Sequence, residues 1–105
     1  MIEANTLNEL FCDESRWTRG ASVRDINGKA LALNKAAPAA VQWCLGGGVA
    51  KVYEGGWSLA DAEKRERLAV VLRGILGADS SEELPALNDR ATFAQIRQAI
   101  EETGL

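Results

Sequence analysis

Apolar side chains recur at helical spacing in three stretches of the chain and alternate with polar ones in a fourth. Leu7, Leu10 and Phe11 share one face of a helix expected from about Leu7 to Ser15. After Ser58, Leu68, Leu72 and Ile75 do the same, with Val71 and Leu76 widening the stripe. Phe93, Ile96 and Ile100 mark a last helix ending at Gly104. All three helices share a start signal. Thr6-Leu7-Asn8-Glu9, Ser58-Leu59-Ala60-Asp61 and Thr92-Phe93-Ala94-Gln95 each set a hydroxyl three residues before a group that can reach back to the backbone. Such a capping box satisfies two of the amides that a helix end leaves unpaired. Asp61–Arg65 and Glu63–Arg67 place acid before base one turn apart, each pair worth about 0.3 kcal/mol. Gly77 offers a stop. Residues 77–91, GADSSEELPALNDRA, look irregular.

Between the first two helical regions the period becomes two, and TRGASVRDINGKALAL reads as a β-hairpin. A two-residue Asn27-Gly28 turn would pair Val23 with Ala32 and Arg24 with Leu31, mixing apolar and charged residues on one face. A turn over Asp25-Ile26-Asn27-Gly28, with Gly28 left-handed, pairs Val23 with Leu31 and Ala21 with Leu33. That register gathers Ala21, Val23, Leu31 and Leu33 on one apolar face and is the one expected.

Residues 38–54 read as one more helix. Pro38 suits a first turn, where its missing N–H has no intrahelical partner, and Gly55-Gly56 ends the segment. Val41, Trp43, Cys44, Leu45, Val49, Val52 and Tyr53 make it apolar nearly all round, hence central. Gly46, Gly47 and Gly48 inside it cost about 2–3 kcal/mol relative to alanines. The expected compensation is a close approach by the hairpin or a neighbouring helix. A phosphate loop does not fit, because Lys51 follows Ala50 and precedes Val52 where G-x-x-x-x-G-K-[ST] needs a glycine and a hydroxyl. A dinucleotide fingerprint must follow a strand, whereas the residues before Gly46 look helical. The expected fold is a single α+β domain over residues 1–105. About four helices pack with one antiparallel hairpin in the order α-β-β-α-α-α.

Composition narrows the chemistry. At 105 residues, 47% hydrophobic and 26% charged, the chain supports one core without disulfides or metals. It holds no histidine, which removes Cys–His and Ser–His–Asp activation and any imidazole ligand. Cys12 and Cys44 have no CxxC spacing, so no zinc site and no cofactor are expected. A net charge of −3 without a basic cluster argues against nucleic acid. No stretch approaches the ~20 apolar residues of a membrane span. The N-terminus lacks the basic and apolar regions of a signal peptide. A cytoplasmic location with both thiols reduced is the expectation.

Trp17-Thr18-Arg19-Gly20, then Arg24-Asp25 and Gly28, Trp43-Cys44-Leu45 with Gly47, and Asn88-Asp89 together resemble a family of small proteins. The family is common in actinobacteria and their phages and is catalogued as a domain of unknown function. Its pattern is W-T-x-G, R-D-x-x-G, W-C-x-x-G-A and a closing N-D, and the resemblance covers about residues 7–54 and 86–103. Gly48 stands where members usually have alanine, and Val23 where a small residue is more usual. The resemblance implies an α+β fold and no established activity. Phage association would allow an anti-defence role.

Cys44, about six residues into the expected helix and lacking a histidine base, reads as a packed thiol. A carboxylate such as Asp89 or Asp25 is a poor base for it and raises its pKa. Asn88-Asp89 read as a turn bonding nearby amides. Their functional reading is a polar pair at the mouth of a pocket beside Cys44 and Trp17. Trp17, Trp43 and Trp57 read as core or core-edge anchors, and Arg24 and Asp25 as the exposed side and turn of the hairpin. The leading expectation is a non-catalytic protein-binding module making contact around an exposed Trp57 or the 80–90 loop. Trp17, Arg24, Asp25, Trp57 and Asn88 are its binding candidates. The alternative is an enzyme or small-ligand binder with a pocket around Cys44, Asn88 and Asp89. A third reading is a homodimer component without a separate ligand.

Overall fold

The computed structural model describes residues 4–31, 39–53 and 59–105. Pro38, Leu33, Gly55-Gly56, Trp57 and the Ser58 cap lie outside the described residues, as does the side chain of Asp61.

The chain opens with α1, Leu7–Leu10, capped as expected: the Thr6 hydroxyl accepts from the Glu9 amide and the Glu9 carboxylate from the Asn5 amide. It is shorter than the expected helix to Ser15. The Asp13 carboxylate takes the Ser15 amide at 2.8 Å and starts a 3-10 turn over Glu14–Arg16, the local competition by which Asp breaks helices. Leu7, Leu10 and Phe11 are nonetheless fully buried.

Strands β1 (Val23–Arg24) and β2 (Ala30–Leu31) form the hairpin in the register that groups the apolar side chains, Val23 opposite Leu31. Gly28 is left-handed, with φ of 79°. The sheet has a third strand where a helix was expected. β3, Gln42–Trp43, pairs antiparallel with β1 on its other edge, giving the order β2-β1-β3. A short apolar run does not distinguish strand from helix by periodicity. Here Val23 lies opposite Trp43, and both are buried. The helix assigned to 38–54 therefore begins only at Leu45: α2 is Leu45–Tyr53.

α3, Leu59–Leu76, buries Leu68 and Leu72 and packs on α2, α4 and α5. Its end is the expected one, since Gly77 is left-handed and the Ala78 amide reaches back to the Arg73 carbonyl. Arg67 donates to the Thr103 carbonyl of α5 rather than pairing with Glu63. Part of the segment expected to be irregular is helical: α4, Leu84–Arg90, carries Pro85 in its first turn and buries Leu84, Leu87 and Asn88. α5, Phe93–Thr103, has the full Thr92–Gln95 capping box and stops at left-handed Gly104. The whole is α+β, with α2 packed against β3 and joined to α1, α3 and α4. Among the described residues no helix is long and apolar enough to cross a membrane.

Candidate functional site

The passage from β3 into α2 organises everything that looked like chemistry. The Cys44 amide donates to the Ser22 carbonyl at 2.9 Å, continuing the sheet, and the next residue is helical. A helix start exposes amides that need acceptors. The Leu45 amide finds the Asn88 Oδ1 at 2.9 Å, and the Gly47 amide finds the Cys44 Sγ at 3.2 Å. Cys44 is therefore not six residues inside a helix but the residue that caps one, its sulfur standing where serine or aspartate more often puts oxygen.

Proximity to a helix N-terminus lowers a thiol pKa, yet this thiol lies above its ordinary value of 9.0. Burial is the largest cause, and the Asp89 charge adds to it. The Gly47 and Gly46 amides and the Ser22 hydroxyl offset only part. The sulfur stays protonated at neutral pH and is a poor nucleophile.

The three glycines have separate reasons. A Cβ on Gly47 would press into the Ser22 carbonyl oxygen of the hairpin. One on Gly48 would stand 2.5 Å from the Phe11 ring at the end of α1. Gly46 has ordinary clearance, with its nearest neighbours, on Arg65 and Leu84, at 3.7 Å. Close approach by the hairpin and by a neighbouring helix is what the glycines permit.

Asn88 is completely buried in the last turn of α4, not in a turn before α5. Its Oδ1 also accepts from the Trp17 Nε1 at 2.8 Å, and its Nδ2 donates to the Thr18 carbonyl at 3.0 Å. Asp89 accepts from the amide of Gly20, which is left-handed with φ of 75°. Trp17 is half-buried, with Arg19 over its ring at 4.8 Å and Phe93 at 5.9 Å. Arg24 donates to the Thr18 hydroxyl (2.8 Å), the Gly28 carbonyl (2.9 Å) and the Arg19 carbonyl (3.0 Å). The Asp25 Oδ1 accepts from the Asn27 and Lys29 amides, both at 2.9 Å. Trp17, Arg24, Asn88 and Asp89 thus join one network through the 17–20 loop. Asp25 braces the hairpin turn beside it.

A cleft of about 340 Å³ does open over Cys44. Its walls come from α3 (Arg65, Glu66, Arg73) and the start of α4 (Glu83, Leu84), and neither Asn88 nor Asp89 lines it. Arg73 is held by Glu66 at 3.1 Å and by the Glu82 carbonyl at 2.7 Å. Of these wall residues, Glu66, Arg73 and Leu84 were not singled out from the sequence, and Arg65 drew notice only as the partner of Asp61. The available signal was the spacing Ala62, Arg65, Glu66, Ala69, Arg73, which sets two small residues among charged ones on one face of α3. Among the described residues no group of three metal-ligating side chains occurs. No family model, curated protein or solved structure matches the chain.

Proposed function

We propose that this chain is a small, non-catalytic protein–protein interaction module of the cytoplasm. One observation supports the reading: the side chains with chemical potential are engaged in holding the fold. Cys44 caps α2, Asn88 bonds both the 17–20 loop and the start of α2, Asp89 holds Gly20, and Arg24 ties the hairpin to the 17–20 loop. A catalytic constellation keeps a nucleophile or base available to a substrate. The surface left for a partner includes Ile26, 81% exposed, and Val70, 56% exposed. Trp57, the contact first expected, lies outside the described residues. The resemblance to the actinobacterial and phage family extends the reading to an anti-defence role.

Thiol titration of the native protein tests it. Cys12 is exposed and Cys44 buried, both as free thiols. One equivalent of reagent should react promptly and the second only after unfolding. Rapid stoichiometric labelling of Cys44 at neutral pH would sink the reading. The cleft over Cys44 favours a second reading, a small-ligand binder or enzyme. That reading requires a folded Cys44→Ala variant to lose cellular activity.

A further inference from the structure

We propose that the hairpin tip and the hollow beside it pair two copies of this chain. This rests on the interaction-module reading and names its partner. The turn owes its shape to Asp25 and Gly28. The Gly28 amide donates to the Asp25 carbonyl at 2.9 Å, the Asp25 side chain holds two further amides, and Arg24 grips the Gly28 carbonyl. None of this requires an apolar residue at position 26, where turn chemistry favours polar ones. Yet Ile26 stands there as the most exposed large hydrophobic side chain among the described residues. A braced tip loses little conformational freedom on docking, which is the property of a preorganised contact.

The occupant follows from what lies next to it. A hollow of about 510 Å³ runs from Ile26 across to Ser15, Arg16, Val41 and Gln42. Its two sides carry opposite charges, Asp25 on the hairpin and Arg16 on the 3-10 turn. Arg16 donates through its Nη1, at 3.4 Å, to the Glu9 and Leu10 carbonyls and also feels the charge of Asp13, and among the described residues no bond from its Nη2 is seen. A projection beside a recess, with one anion and one cation, is self-complementary. Under a two-fold axis Ile26 of each copy enters the other's hollow, and each Arg16 meets the other's Asp25. The patch is small for a stable dimer, so the pairing is weak, with a dissociation constant on the order of 100 µM, and weakens with salt.

Sedimentation velocity of the full chain, from about 10 µM to about 1 mM, tests this. The mean mass should climb toward twice that of the chain. Ile26→Asp should weaken association at least ~10-fold with unchanged melting, and Arg16→Glu should weaken it too. A wild-type chain that stays monomeric throughout overturns the pairing. So does an Ile26→Asp chain that associates like wild type. A monomeric wild type leaves the interaction-module reading standing, because the thiol titration decides that separately.

Discussion

The amide of Asn88 can sit only one way round. Trp17 Nε1 and the Leu45 amide can only donate, and the Thr18 carbonyl can only accept, so oxygen must face the first two and nitrogen the third. Asn88→Asp keeps the shape and inverts one bond, setting a buried carboxylate oxygen against a carbonyl. We expect a loss of about 3 kcal/mol at pH 7 by urea unfolding. The loss should shrink in acid, where the protonated carboxyl can again donate to Thr18. Cys44 gives a gentler test. Cys44→Ser keeps an acceptor for the Gly47 amide and should fold with stability close to wild type, whereas Cys44→Ala should lose about 1 kcal/mol. The thiol also has a pH signature. Burial holds its folded-state pKa above the unfolded value, so its stabilising contribution is complete below the unfolded value. It is lost as pH rises through the folded one. Urea midpoints at neutral and alkaline pH should therefore fall more for wild type than for Cys44→Ser.

Elements differ in how much of themselves the chain discloses. Helix starts at Thr6 and Thr92 could be read because a cap needs only three neighbouring residues, and both are present. The hairpin register could be read because a one-residue slip would turn Val23 and Leu31 to opposite faces. Two elements could not. β3 is two residues long, and it is its pairing with β1 and the bridge from Trp17 to Trp43 that hold Gln42–Trp43 extended. α4 is seven residues inside a stretch that reads as irregular, too short for the Leu84–Leu87 spacing and Pro85 to stand out from the polar residues around them. α2 offers the decisive test of element packing. Gly46→Ala should be neutral or stabilising by up to ~1 kcal/mol, Gly48→Ala should cost about 1–3 kcal/mol against Phe11, and Gly47→Ala should cost more because backbone cannot yield. Gly74, in the last turn of α3 with nothing within 4 Å of an added Cβ, is the control: Gly74→Ala should raise stability by up to ~1 kcal/mol. Thermal melts of the four variants would rank them.

At the scale of the whole molecule, the α+β class was legible from pattern alone, whereas the convergence of the network was not. Trp17, Arg24, Asn88 and Asp89 each drew notice as residues, but nothing local in a sequence says that Asn88 will meet partners 43, 70 and 71 residues away. The same separations govern how the molecule can open. Native Asn88 bonds cannot form until the N-terminal loop, the strand-to-helix junction and α4 have all come together, and ordering such long loops is the slow part of folding. The Leu45 amide proton is then a reporter of the entire fold. It should exchange with solvent deuterium only through global unfolding, at the rate of the slowest core amides, although it stands at the very end of a helix, where amide protons ordinarily exchange first.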